Sequence, residues 1–261
     1  MSLSGKTAVV TGSNSGIGLG IAQEFARRGA HIAINSFTDT PEDHELAAKI
    51  AKEHGVDVHY IQADMSDAEA TRGLITKAND LFGKLDIVVN NAGIQFVTEI
   101  DKFPIEKWDQ IISINLSSSF HTSAAAVPIM RENGWGRIVN IASAHGLRAS
   151  PFKAAYVAAK HGVVGLSKVI ALETAQEPIT CNAICPGYVL TPLVEKQIPD
   201  TMAQYNMSRE DVIKNVILEA QPSKEFAAIG EVAGTAAFLC SDDAAQITGT
   251  TISVDGGWTA R

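Results

Sequence analysis

Short apolar runs alternate with longer stretches of helical period along the chain, and the alternation is regular enough to set the fold class. Thr7–Thr11, His31–Asn35, Asp57–Gln62, Asp86–Asn90, Arg137–Ile141, Thr180–Cys185 and Thr251–Val254 are each too short for a helix, and most are rich in β-branched or aliphatic side chains. After the first run, Leu19, Ile21, Ala22, Phe25 and Ala26 make a broad apolar helical face that stops at Gly29. Thr40-Pro41-Glu42-Asp43 supplies a cap, a first-turn proline and an acid, predicting a helix that ends at Gly55. Ser66-Asp67-Ala68-Glu69 reads as a capping box opening a helix that stops at Gly83. Further helices are predicted over about Ile105 to Glu132, from the Tyr156 region to about Ala175, and over Glu231–Leu239. Thr191–Gln221 has a weaker period and holds Pro192 and Pro199, so the region of about residues 190–222 reads as a helical flap. Strands and helices joined by short links predict a single α/β domain over residues 1–261, with a doubly wound parallel sheet of about seven strands flanked by helices.

Composition narrows the class. At 46% apolar residues in 261, the chain has ample material for one core. Its net charge of −8 comes from 29 acids against 21 bases with no basic cluster, which excludes nucleic acid and an anionic membrane surface as main partners. No apolar run approaches the roughly 18 residues of a membrane span, and MSLSGK leaves no room for a signal peptide before the first strand. Cys181, Cys185 and Cys240 are odd in number and fit a reduced, cytoplasmic setting. Cys181 and Cys185 fall in a strand-like run, and no metal site is expected.

Ligands of open parallel sheets bind beyond the carboxyl ends of the strands, and the marked residues of this chain gather there. Gly12-Ser-Asn-Ser15-Gly16-Ile17-Gly18 follows the first strand and opens a helix. Glycines there let backbone amides approach a pyrophosphate, and the helix N-terminus adds partial positive charge. Ser36 and Phe37 follow the second strand, Asp64 and Met65 the third, and Asn91-Ala92-Gly93 the fourth. Ser143 follows the fifth, and Pro186-Gly187, with Val189 and Thr191, the sixth. Tyr156 and Lys160 stand four apart on a helix, one turn from each other on one face. A neighbouring cation favours the phenolate of a tyrosine that titrates near 10 when free, and lowering it to about 7 takes roughly 4 kcal/mol.

In this combination, Thr11-Gly12-x-x-x-Gly16-x-Gly18, Asn91-Ala92-Gly93, Asn115, Ser143, Tyr156-x-x-x-Lys160 and Pro186-Gly187 resemble the short-chain dehydrogenase/reductase family over essentially the whole chain. The resemblance implies a Rossmann-type fold, a nicotinamide dinucleotide cofactor held at the strand ends above, and a tetramer. It implies Tyr156 as acid/base, Ser143 orienting the substrate oxygen, Lys160 acting on Tyr156 and the nicotinamide ribose, and Asn115 supporting a proton-relay water. It further resembles members acting on a small 3-hydroxy acid, which assigns Gln95, Ser143, His145, Lys153, Tyr156 and Gln197 to 3-hydroxybutyrate or acetoacetate. Donors such as His145 and Lys153 suit a small carboxylate better than a neutral sterol or a long acyl chain. Tyr188 and Trp258 are candidates for the pocket wall or for the core.

Ser36 takes the place where NAD-dependent relatives often carry Asp, a departure from the common pattern. No Arg or Lys occurs in Ile32–Thr40 or Ser13–Ser15 to meet a 2′-phosphate, so NAD is favoured by the missing cation. The alternatives are a 3-oxoacyl-carrier-protein reductase, a sugar or polyol dehydrogenase, and an inactive cofactor-binding module.

Overall fold

The structure, a computed structural model, describes residues 2–260, apart from the side chains of Leu193 and Gln197. Strands β1 (Thr7–Val10), β2 (His31–Ser36), β3 (Val58–Gln62), β4 (Ile87–Asn90), β5 (Gly136–Ile141), β6 (Ile179–Pro186) and β7 (Thr251–Val254) form one sheet in the order β3-β2-β1-β4-β5-β6-β7. Every pairing is parallel. Every residue of β1, β4, β5 and β6 is buried, because helices cover both faces; this is why these strands read as continuous apolar runs. Ala8, Val10, Ile32, Ile34, Ile87 and Val89 point into one core with α1 (Gly16–Arg27), α2 (Pro41–His54) and α9 (Ile229–Leu239). Val9, Ala33, Val88 and Ile138 point into the other with α3 (Ala68–Phe82), α5 (Ser118–Asn133) and α6 (Ala154–Glu173). Strand order reverses between β1 and β4, and the crevice above that switch point is where an open α/β sheet binds its ligand.

Three predicted elements differ in detail. The cap of α3 is Asp67, whose Oδ1 accepts the Ala70 N–H at 2.8 Å, not Ser66. The Ser66 hydroxyl is instead committed to Asp64 Oδ1 at 2.7 Å. The long helix expected over about Ile105 to Glu132 is α4 (Ile105–Ile112), one π-helical turn (Ser113–Ser117) and α5. The flap region contains α7 (Pro192–Tyr205), α8 (Arg209–Val212) and a second π turn (Ile213–Ile217). Thr191 Oγ1 caps α7, accepting the Val194 N–H at 3.4 Å, and Ile198, Val212 and Leu218 anchor the region from below.

Helix α6, at 20 residues and a mean hydropathy of 1.2, is long and apolar enough to span a bilayer by composition, which corrects the expectation that no run approaches that length. It packs against the sheet, and Lys160 and Ser167 on its inner face are buried.

Candidate active site

A cavity of about 600 Å³ opens at the carboxyl ends of the strands. Its floor is the turn after β1. Gly12 and Gly16 have φ of +59° and +57°, a left-handed backbone that side chains oppose. A Cβ at Gly12 would stand 2.9 Å from Ala92 Cα, and one at Gly18 would stand 2.3 Å from the Gly12 carbonyl oxygen. Gly18 therefore lies under the cavity rather than in its lining. It lets α1 abut the turn, so that the helix N-terminus, with Ser15, Gly16 and Ile17, faces the cleft. No side chain caps that terminus and its first turn holds no acid, which leaves N–H donors for an anion. A dinucleotide pyrophosphate fits this cradle: close backbone approach, open amides and a favourable helix dipole.

Hydrogen bonds across the strand ends hold the cradle in place. Asn91 Nδ2 donates to the carbonyls of Thr11 at 3.0 Å and Gly12 at 2.9 Å. Thr11 Oγ1 accepts the N–H groups of Asn91 and Ala92, each at 3.0 Å. Asn35 Oδ1 accepts the Gly12 N–H at 3.2 Å while its Nδ2 donates to Ile61 and Ala63. Ser36, Phe37, Asp64, Met65, Ala92 and Gly93 line one side, as do Pro186, Gly187, Val189 and Thr191 the other. The Asp64 carboxylate is occupied locally, accepting from the N–H and hydroxyl of Ser66 at 2.8 and 2.7 Å.

At the far end of the cleft, Ser143 is the last residue before a 3-10 turn (Ala144–Gly146) that packs on α6 so tightly that a Cβ at Gly146 would be 2.9 Å from the Lys160 carbonyl oxygen. This packing brings Ser143 and Tyr156 to the same end of the cleft, where both line the cavity. Lys160 is buried, and its Nζ donates to the Ile141 carbonyl at 2.7 Å and lies 5.7 Å from the Tyr156 ring centre. Burial brings the Lys160 ammonium down to about 8. Desolvation pushes the Tyr156 phenol above its usual value, and the neighbouring Ser143 side chain only partly opposes it. Lys160 by itself therefore does not make the phenol acidic in the free protein, and its ammonium is directed at a carbonyl.

Asn115 is 1% exposed and lies beneath the lining rather than in it. The π turn swings its carboxamide onto the loop after β4, where Oδ1 accepts the Ile94 N–H and Nδ2 donates to the Ile94 carbonyl, both at 2.9 Å.

His145 stands beside Ser143, with Nδ1 3.5 Å from Ser143 Oγ and Nε2 3.0 Å from Ser150 Oγ. Burial first, then the nearby Lys153 charge, take its imidazole down to about 4, so the ring is neutral near pH 7. Lys153 Nζ is 3.5 Å from Tyr188 Oη, and burial lowers its pKa. Tyr188 stacks on Trp258 at 5.4 Å and 8°, and Trp258 meets the His145 ring edge-on at 5.0 Å, so both aromatic residues are wall. Gln95 lines the same end. Gln197 lies on α7, and its side chain is outside the described residues. Sequence reasoning did not single out Asn14, Ile94, Val97 or Val194. Asn14 sits within the glycine turn and could have been found there, whereas Val194 joins the lining only through the path of the flap.

Comparison with known proteins agrees with this construction. A family model described as enoyl-(acyl carrier protein) reductase matches residues 12–259. The chain is 54% identical to the D-beta-hydroxybutyrate dehydrogenase of Rhizobium meliloti over 256 residues, covering 98% of this chain and 99% of the relative. It is 51% identical to that of Cupriavidus necator over 260 residues, covering 99% and 100%. Among solved structures, L-sorbose reductase from Gluconobacter frateurii, complexed with NADPH and L-sorbose, superposes with a TM-score of 0.94 at 32% identity, covering 100% of this chain and 99% of that one. The chain belongs to the short-chain dehydrogenase/reductase family of nicotinamide-dinucleotide-dependent oxidoreductases.

Proposed function

We propose that this enzyme interconverts (R)-3-hydroxybutyrate and acetoacetate with NAD. One observation carries the reading: the cavity that holds Ser143, Tyr156 and Lys160 also holds a half-buried lysine, Lys153, and a neutral histidine, His145, beside the reacting centre. A carboxylate entering there supplies the anion that Lys153 lacks, while Ser143 and Tyr156 meet the oxygen on C3. The two relatives at 54% and 51% identity carry that activity in their names.

Bound in the cradle, a nicotinamide dinucleotide supplies the hydride acceptor and a positive ring charge. Tyr156, as phenolate, takes the hydroxyl proton as hydride leaves C3, and returns it in the reverse direction. Ser143 holds the same oxygen by hydrogen bonding. Lys160 favours the phenolate electrostatically and reaches the ribose side of the cleft. Asn115 fixes the loop at Ile94 and supports a water on the proton path. His145, Lys153, Gln95 and Gln197 hold the carboxylate. NAD is preferred over NADP because lysine or arginine, among the described lining residues, occurs only at 153 and 160, both at the substrate end. The enzyme is cytoplasmic, in keeping with three buried free cysteines. It forms a homotetramer, for which exposed Phe120, Val169 and Leu172 on α5 and α6 offer an apolar face. A sugar substrate would leave the half-buried Lys153 without a counter-charge, which disfavours that rival.

The test is Tyr156→Phe and Ser143→Ala assayed for NADH formation from (R)-3-hydroxybutyrate, with dinucleotide binding followed by fluorescence. Turnover should fall by about 100-fold or more for each while binding persists. Undiminished turnover in either variant would overturn the assignment.

A further inference from the structure

Strand β2 ends in Ser36, where an acid would ordinarily select the unphosphorylated ribose, yet a carboxylate on the following helix bonds to residues on either side of it in the chain. Asp43, in the first turn of α2, is 6% exposed. Its Oδ2 accepts from Thr38 Oγ1 at 2.8 Å, from the Thr40 N–H at 3.1 Å and from Thr40 Oγ1 at 3.0 Å. Its Oδ1 accepts from Asn14 Nδ2 at 3.2 Å. Asn14 lies in the glycine turn and lines the cavity, as does Ser36, whose Oγ is 3.4 Å from Thr38 Oγ1. The Tyr60 hydroxyl, donating to the Thr38 carbonyl, secures the loop from behind. Asp43 is thus bonded directly to Asn14 in the lining and, through Thr38, linked to Ser36, without itself entering the lining.

Two consequences follow from the chemistry. The donors are sufficient to hold the Asp43 carboxyl at about 2 despite the desolvation that opposes them, so it is ionised at working pH. Among the described residues it takes part in no ion pair, so its charge is solvated by neutral donors and not cancelled. Asn14, in the lining, and Thr38, bonded to Ser36, already donate to that charge.

We propose that Asp43 determines dinucleotide specificity, excluding the 2′-phosphate of NADP by like charge and by withholding Thr38 and Asn14 as donors. This rests on the reading of the enzyme as NAD-preferring, and it moves the deciding acid from the end of the second strand to the helix that follows. Asp43 acts through Asn14 and Thr38 and is a specificity-determining residue, not a catalytic one.

The experiment compares Asp43→Asn, which keeps the shape and one acceptor, with Asp43→Ala. It measures kcat/KM for NAD and NADP and competitive inhibition by ADP against 2′,5′-ADP. Asp43→Asn should shift the NADP/NAD ratio toward NADP by about tenfold and tighten 2′,5′-ADP relative to ADP by a similar factor. The wild-type ratio should also shift toward NADP as salt is raised from about 10 to 300 mM, a readout available even if a variant fails to fold. Comparable wild-type efficiency with both dinucleotides would remove the NAD reading itself. A wild type that prefers NAD, with ratios unmoved in the variants or by salt, would overturn the role of Asp43 alone. Equal losses for both dinucleotides would make Asp43 a loop anchor only and overturn it as well.

Discussion

Replacing Lys153 with methionine separates recognition of the substrate carboxylate from support of the fold. Methionine keeps most of the apolar stem and removes the ammonium. In the free protein Lys153 Nζ has Tyr188 Oη at 3.5 Å, and burial lowers its pKa. A lysine whose folded pKa lies below its unfolded value costs stability while it is protonated, fully below the folded pKa, and the cost fades as pH rises to the unfolded one. At neutral pH the substitution should therefore leave melting temperature unchanged or raise it. Substrate binding should suffer the opposite effect. Truncating one partner of a buried, hydrogen-bonded charge pair costs about 2–5 kcal/mol, so kcat/KM should fall by roughly 30- to 4,000-fold, mostly in KM. The assay is NADH formation at 340 nm with (R)-3-hydroxybutyrate, run beside its methyl ester, which has no charge to lose. The ester should change by less than about threefold, since it never made the ion pair. A kcat/KM for the acid within about threefold of wild type, or equal losses for acid and ester, would refute the carboxylate argument.

Three further outcomes test other parts of the site. Gly18→Ala forces a Cβ to within 2.3 Å of the Gly12 carbonyl oxygen, so it should abolish measurable NADH fluorescence enhancement; retained binding would mean that α1 can retreat from the turn. Phe152, exposed and at φ +67°, is strained for a bulky side chain, and Phe152→Asn should stabilise by about 1 kcal/mol, raising Tm by about 2–4 °C in a calorimeter, whereas a lower Tm would contradict the strain. His145 titrates at about 4 in the folded protein, below its usual value, so the unfolded state binds the extra proton first and stability is lost as pH falls from about 6.5 toward 4. At 1.36 kcal/mol per unit the loss reaches about 3 kcal/mol, and His145→Gln should flatten that arm of the Tm profile; an unchanged arm would assign it to other groups.

Strand order aside, the sheet was plain in the pattern of residues, because strands covered on both faces are apolar throughout, as in Thr7–Val10 and Ile87–Asn90. The strand-end residues followed from the same logic, and nearly all of them line one cavity. What was not legible depends on competition between hydrogen bonds. Ser66 loses the cap of α3 because Asp64 takes its hydroxyl, a choice that spacing does not reveal. The break between α4 and α5 lies at the turn where Asn115 reaches Ile94, a contact made across 21 residues. The capping role of Asp43 is legible in Thr40-Pro41-Glu42-Asp43, but its bond to Asn14 across 29 residues is a product of the tertiary fold. The pairing of Lys160 with Tyr156 is visible in their spacing; the bond from its ammonium to the Ile141 carbonyl is not.

That last contact sharpens the role of the cofactor, since the free enzyme holds Tyr156 above its ordinary pKa. The central claim is that this cleft joins proton transfer by Tyr156 to recognition of a small carboxylate. Its most direct test is an initial-rate panel of both enantiomers of 3-hydroxybutyrate, lactate and 3-hydroxyacyl thioesters, each with NAD and NADP. The highest kcat/KM should belong to (R)-3-hydroxybutyrate with NAD. A higher value for a thioester, or for any substrate with NADP, would contradict it.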